Sequence, residues 1–367
     1  MLHWLRKLFG SAASVAIDAR HDVVLRAPAA RAAPPAAPVS EPPSIPATQA
    51  SNLPPVVPVS AQHNISWLIR EDLDARFTSW LFARGDYADL QTSAAERAIL
   101  QALDRILASP QSGASLVRRM PGVIPQLLQS LRTDDFSGAD LARKISNDVV
   151  LVAEVIRLAN SSLYATDDPI RSIEHAVMVL GHNGLRHLVT SVAFRPIIDL
   201  NAGRFSKLVA PRIWLQSEQC AIASRMLATE AGINGFDAFL AGLIQNVGLV
   251  VALRVMDETA GDNAAIGSTA FCYALVVKAR RLSSAIGHEW KFPAGVITAI
   301  DEQAMVEPHA RLSAIGANLA IADYLSKLHL LALNGERVDD GGFTDGLSPA
   351  ERRCYSSLAR ASATVDT

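Results

Sequence analysis

Residues 157–186 read RLANSSLYATDDPIRSIEHAVMVLGHNGLR, and this stretch decides the fold. Its apolar residues recur at three- and four-residue steps, which is the period of a helix with one buried face. Ser172 is typical of a helix N-cap, and Gly181 is typical of a helix end because glycine tolerates the backbone conformation found there. The residues predicted to be buried in this helix are Ile173, Ala176, Val177 and Leu180. The stretch therefore predicts short helices separated by defined stops.

The composition extends the helical prediction to the whole chain. Hydrophobic residues make up 50% of the 367 residues, with much alanine among them, and aromatic residues only 6%. Because alanine favours helix and buries little surface, we expect an all-α bundle with one large core and tails. Cys220, Cys272 and Cys354 are far apart in apolar helical patterns, which predicts reduced thiols in the core.

Four blocks of the sequence, in this order, resemble the HDOD domain family. They are Met120 to Pro125 with Pro121 inside it, Ser146 to Asp148, Arg157 to Tyr164 with Asn160 and Ser161 inside it, and Ser172 to Arg186 with Gly181 inside it. Val149 departs from the family pattern, which usually has proline at that position. The resemblance covers about residues 110–330 and implies the multi-helix bundle of the HD metal phosphohydrolases. Asn160, Ser161 and Arg186 either form a partner surface or tie loop backbone between helices.

The predicted organisation has five segments. Residues 1–27 form a basic and amphipathic tail, and residues 28–60 form a disordered Pro/Ala-rich linker that holds ten of the nineteen prolines. A helical lead-in follows over 61–110, the HDOD domain occupies 111–333, and residues 334–367 contain a loop, a short helix and a tail. No uncharged apolar run reaches the roughly 18 residues of a membrane span, so we expect no transmembrane segment and a cytoplasmic protein.

The resemblance also implies where metal ligands would lie. HD phosphohydrolases use a first histidine, a His-Asp pair and a final aspartate, and this chain has Gln216, Gln245, Asn246 and Asp323 at those positions. Neutral amides cannot replace imidazole and carboxylate in a centre that binds a transition metal and acidifies water, so we expect no HD-type catalysis, metal or cofactor. Several histidines are scattered over different predicted helices without metal-ligand spacing, namely His175, His182, His187, His288 and His309.

These features favour a non-catalytic signal-transduction module that binds a protein partner or a small ligand in a bacterial pathway, a theme that the resemblance supplies. One alternative is a metal-dependent phosphohydrolase of a nucleotide or cyclic dinucleotide, which the three amides disfavour. A nucleic-acid-associated regulator is a second alternative, which the net charge of −2 disfavours. The amides themselves form either a hydrogen-bonded interior network or the lining of a polar pocket for a nucleotide-like ligand. Asp323 is predicted to be a buried acid bonded to a neighbouring helix.

Overall fold

The computed structural model describes residues 57–58, 65–83, 91–108, 149–160, 169–198, 203–260, 266–305, 310–336, 338 and 342–363. Within these ranges the regular structure is helical, apart from one antiparallel pair of two-residue strands, β1 (Val57–Pro58) and β2 (Arg311–Leu312). The predicted all-α class is confirmed. β1 lies near the end of the predicted linker, residues 28–60, and pairs with β2.

Eleven helices occur in the described residues. The first five are α1 (Trp67–Leu81), α2 (Ala94–Ala108), α3 (Val149–Ala159), α4 (Ile173–Ile198) and α5 (Arg204–Ala231). The others are α6 (Gly235–Ile244), α7 (Val247–Thr259), α8 (Thr269–Glu289), α9 (Ala294–Glu302), α10 (Ala314–Leu333) and α11 (Pro349–Ala363). A 3-10 turn, Gln303–Met305, follows α9.

Two long helices, α5 and α10, pack together in the centre of the bundle. Helices α6, α7 and α11 pack on α5, whereas α1, α9 and α11 pack on α10. The lead-in helices belong to the same body, because α1 lies on α10 and α2 lies on α7 and α8. Leu73 and Phe77 of α1 and Ile99 and Leu103 of α2 enter the main core. The lead-in can therefore position side chains against the rest of the bundle.

Local sequence signals place several helix ends. Gly181 divides α4 with φ 70° and ψ 178°, a conformation that residues with a side chain rarely adopt. The Ser172 hydroxyl accepts a hydrogen bond from the His175 backbone N–H at 3.1 Å, as expected for an N-cap. At α11, Ser348 and Glu351 form a reciprocal capping box with bonds of 2.7 and 3.3 Å.

The segment around Gln245 and Asn246 differs from the sequence prediction. The apolar pattern of residues 236–253 predicts one continuous helix, but α6 ends at Ile244 and α7 begins at Val247. The break lies within Gly235–Thr259, which is, among the described residues, the one stretch long and apolar enough to cross a membrane. However, 89% of its most apolar window is buried inside the bundle. Side-chain bonds to neighbouring helices hold both amide residues at the break.

The three cysteines lie in the core, whereas several family-motif residues lie outside the described residues. Cys220, Cys272 and Cys354 are free and buried, as the sequence predicts for core thiols. Five of the family-motif residues lie outside the described residues, namely Pro121, Pro125, Asp148, Ser161 and Tyr164. Most of the predicted tail and linker lies outside them as well.

Candidate functional site: a carboxylate held by two cations

The four side chains at the HD-type positions meet at one place in the bundle. Gln216 extends from α5, Gln245 and Asn246 lie at the junction of α6 and α7, and Asp323 lies on α10. Gln216 and Gln245 are buried. The sequence prediction therefore selected residues from three separate parts of the chain that do form one cluster.

Asp323 is the centre of this cluster, and both of its carboxylate oxygens are occupied. Oδ1 accepts hydrogen bonds from the Nε2 atoms of Gln216 at 2.8 Å and Gln245 at 2.9 Å. The guanidinium of Arg280, from α8, lies 3.4 Å from the same oxygen. Oδ2 forms an ion pair with the ammonium of Lys327 at 2.6 Å, one helical turn along α10. The carboxylate thus faces two cations and two amide N–H groups.

These cations determine the charge state of Asp323. Burial alone would raise the pKa of the carboxyl, but Lys327 and Arg280 lower it to about 2. Burial would likewise lower the pKa of Lys327, and the carboxylates of Asp323 and Asp74 raise it above its ordinary value. Both partners therefore stay ionised at neutral pH, as a paired buried charge must.

The amides have partners beyond Asp323. The Nε2 atom of Gln245 also lies 3.0 Å from the sulfur of Cys220, and its Oε1 atom accepts a hydrogen bond from Arg280. Gln216 donates to Ser326 at 3.1 Å and accepts a bond from Asn246. Asn246 also donates to the Ser217 hydroxyl, at 3.0 Å. The amide groups are therefore bonded to one another and to their surroundings.

Lys327 extends the network to the lead-in. Its ammonium lies 2.6 Å from Asp74 of α1 as well as 2.6 Å from Asp323. Beside it, Arg212 of α5 donates to the carbonyl oxygens of Trp80 and Leu81 at the end of α1. The lead-in helix is consequently tied to the Asp323 cluster by ionic contacts as well as by its apolar face.

This donor set does not fit a transition metal. The nitrogen atoms of Gln216 and Gln245 point toward Asp323, and their oxygen atoms point away from it to other donors. A metal at this carboxylate would have to displace N–H groups and compete with two fixed cations. Among the described residues there is also no group of three or more His, Cys, Asp or Glu side chains that could hold a metal ion.

The cluster borders a cavity of about 1000 Å³. Helix α1 supplies much of its wall, and α5, α8 and α10 supply most of the remainder. Gln216, Asn246, Arg280, Asp323 and Lys327 all line it. The sequence left open whether the amides form an interior network or line a polar pocket. Gln216 and Asn246 do both, because they are bonded to each other and border the cavity.

The family-motif residues within the described ranges have structural contacts. Asn160 exchanges two hydrogen bonds of 2.7 Å with the backbone N–H and carbonyl of Ile170, and so closes the connection between α3 and α4. Arg186 stacks over the ring of Phe236 at 4.1 Å. For Asn160 the geometry matches the interpretation that the residue ties loop backbone between helices.

Sequence reasoning missed the cations and one buried acid. Lys327 could have been found, because it follows Asp323 by four residues on one helix face. For Arg280 no sequence signal exists, because it reaches the cluster from a different helix. Glu96 of α2 is buried and accepts hydrogen bonds from the backbone N–H groups of Gly267 and Ser268, both at 2.6 Å. It thereby joins α2 to the start of α8.

The described residues form an all-α bundle in which Gln216, Gln245 and Asn246 meet Asp323. The family model of the HDOD domain matches residues 117–306, about half of the chain. This chain belongs to the HDOD domain family.

Individual relatives are distant. An uncharacterized protein of Treponema pallidum (strain Nichols) is 26% identical over 144 residues, which are 39% of this chain and 27% of that protein. The chain thus spans about a quarter of that relative's length. An HDOD domain protein of Geobacter sulfurreducens is 22% identical with a TM-score of 0.48, covering 71% of this chain and 90% of its own. A Shewanella amazonensis SB2B protein, provisionally named a phosphohydrolase, is 22% identical with a TM-score of 0.46, covering 73% and 97%.

Proposed function

We propose that this protein is a non-catalytic signal-transduction module, which binds a protein partner in the bacterial cytoplasm and conveys a signal through that contact. The observation that carries this proposal is the neutralisation of Asp323 by Arg280 and Lys327. In an HD phosphohydrolase the corresponding carboxylate would hold a metal. Here the positive charge is covalently part of the chain.

The chemistry of the cluster supports the non-catalytic part of the proposal. Metal-assisted hydrolysis requires an ion that lowers the pKa of bound water and polarises the phosphate ester. An ammonium and a guanidinium neutralise charge but supply no coordination site for water. Asp323, with its pKa near 2, is also a very weak base, so it would abstract a proton from water poorly at neutral pH.

The experiment is metal analysis combined with a turnover assay on the purified full-length chain. We expect iron, manganese and zinc well below one equivalent per chain, and no hydrolysis of a generic phosphodiester above the level of the Asp323→Asn variant. Stoichiometric metal together with turnover that Asp323→Asn abolishes would contradict the proposal.

The signalling part is tested by affinity capture from the source cell, with the full chain as bait. Arg186→Ala and Asn160→Ala variants are parallel baits, because both positions belong to the family pattern; Asn160 lies at the α3–α4 connection, and Arg186 lies over Phe236 of α6. We expect one saturable partner that wild-type bait retains through high-salt washing. Recovery of only general chaperones with every bait would count against a dedicated partner.

A further inference from the structure

Five basic side chains line the cavity beside the Asp323 cluster. Four of them already have an oxygen acceptor of the chain within reach. The pairs are Arg76 with Asp72 at 3.1 Å, Arg212 with the Leu81 carbonyl at 3.0 Å, Arg280 with Asp323 at 3.4 Å and Lys327 with Asp323 at 2.6 Å. The fifth is Arg70 of α1.

Arg70 lacks a hydrogen-bond acceptor within the part of the chain that the structure describes. Its Nη2 atom is buried without a partner, and its guanidinium lies over the ring of Tyr324, 5.5 Å from the ring centroid. Burial lowers the pKa of Arg70, and the charge of Asp74 opposes that shift without cancelling it. Because a guanidinium has five donors and stays protonated, an incompletely bonded one beside a cavity can donate to an incoming acceptor.

The carboxylates of Asp74, Asp323 and Glu351 act on Arg70 through their charge, but no described hydrogen bond joins any of them to its guanidinium. Asp74 and Asp323 both contact the ammonium of Lys327, and Asp323 also faces Arg280. Their charges are therefore balanced by other cations. An incoming anion at Arg70 would complete the pairing.

The remainder of the cavity wall indicates the body of the ligand. It includes several aromatic side chains, which are Trp67, Phe77, Trp80, Tyr273 and Tyr324. Tyr273 is 70% exposed, so its ring is open to contact from the cavity side. A volume of about 1000 Å³ is at the upper end of the range for small-molecule sites, which combine an apolar lining with a few polar groups that fix orientation.

We propose that this cavity binds a small organic anion, whose phosphate or carboxylate group pairs with Arg70 and whose aromatic body packs on the aromatic wall. The guanidinium fork suits both oxyanions, since each can accept two parallel hydrogen bonds. The inference rests on the proposed function, because it assigns a ligand to a module that does not turn that ligand over.

Phenyl phosphate and benzoate are suitable probes, because each joins one oxyanion to one ring. Inorganic phosphate and phenol carry the two halves of phenyl phosphate separately. Calorimetric titration of the full-length chain should give saturable binding of at least one ringed anion, and weaker binding of inorganic phosphate and of phenol. The two ringed probes also distinguish a phosphate ligand from a carboxylate ligand.

The decisive variant is Arg70→Gln, and its matched control is Arg105→Gln, an exposed arginine on α2 outside the cavity. Loss of charge-assisted hydrogen bonds should weaken binding of the probe about tenfold or more in Arg70→Gln, with no change in the control. Without ligand, Arg70→Gln should melt at the same temperature as the parent or higher, because it removes an unpaired buried cation. Arg70→Lys, which keeps the charge but loses the fork, should bind with intermediate affinity.

Each outcome has a defined meaning. Absence of saturable binding for both ringed anions, or equal affinity in the parent and Arg70→Gln, would overturn the proposed site. Release of phenol from phenyl phosphate by the pure protein would instead overturn the non-catalytic function and leave the anion site standing.

Discussion

Replacing Lys327 with methionine should destabilise the protein more than replacing any surface lysine. The ammonium is bonded at 2.6 Å to both Asp323 and Asp74, and the side chains of Lys327 and Asp323 are only 11% and 14% exposed. Removing one partner of such a buried pair leaves a charge in the interior and typically costs about 3–5 kcal/mol. Arg280 and the two amides still contact Asp323, so we expect the lower end, about 3 kcal/mol.

The pH dependence provides an independent measure of the same interaction. The pKa of Asp323 is about 2 in the folded protein, against an ordinary value of 3.8. A depressed carboxyl pKa stabilises the folded state above the ordinary value, and that contribution is lost as the pH falls toward 2. At about 1.4 kcal/mol per pH unit, a shift of this size corresponds to roughly 2.5 kcal/mol of stabilisation, which is of the same order as the cost expected for Lys327→Met. The difference in the free energy of unfolding between the parent and Lys327→Met should therefore decrease as the pH is lowered from 4 to the lowest value at which both proteins stay folded.

Urea denaturation of the parent, Lys327→Met, Asp323→Asn and the double variant measures the coupling. We expect the double variant to be more stable than Lys327→Met, because the stranded carboxylate is gone. Lys278→Met is the matched control, since Lys278 pairs with a largely exposed Asp104 and should contribute less than about 1 kcal/mol. If Lys327→Met costs no more than Lys278→Met, and its cost is independent of pH, the buried ion-pair account is refuted.

Three further predictions follow from the described contacts. Gln245→Ala and Asn246→Ala should each lower the free energy of unfolding by about 1–3 kcal/mol in the absence of ligand, because each leaves buried hydrogen-bond partners unpaired. A melting temperature equal to that of the parent in either variant would contradict this. Combining Gln245→His with Asn246→Asp should be more destabilising still, and calorimetry should detect no manganese binding even with Gln216→His added, because Arg280 and Lys327 remain. Glu96→Gln should lower the free energy of unfolding by about 1–3 kcal/mol, since an amide cannot accept all four bonds that the carboxylate accepts, and an unchanged urea midpoint would show that these bonds are dispensable.

The sequence predicts the helices well where local chemistry decides them. Ser172 and Gly181 each act through their own backbone neighbourhood, and in the structure Ser172 caps the start of α4 while Gly181 interrupts that helix. The break between α6 and α7 was missed because its cause is not local. Gln245 and Asn246 interrupt an apolar stretch that reads as one helix, and the partners that hold them come from other helices.

The candidate site, too, could be predicted from the sequence only in part. Gln216, Gln245, Asn246 and Asp323 could be found because the family pattern assigns each of them a position, and they do meet. Their charge balance could not be found, because Arg280 lies on a separate helix and the second carboxylate, Asp74, is about 250 residues away along the chain. Sequence spacing carries information about one helix face, but not about which faces of different helices come together.

The arrangement also explains why reversing the three amides should not recreate a metal centre. A buried carboxylate such as Asp323 needs a positive partner, and in the HD enzymes a metal supplies that charge. In this chain Arg280 and Lys327 supply it, and Asp74 of the lead-in then balances the second cation. A metal would therefore add charge to a cluster that is already neutral. The lead-in helix and the Asp323 cluster consequently form one electrostatic unit.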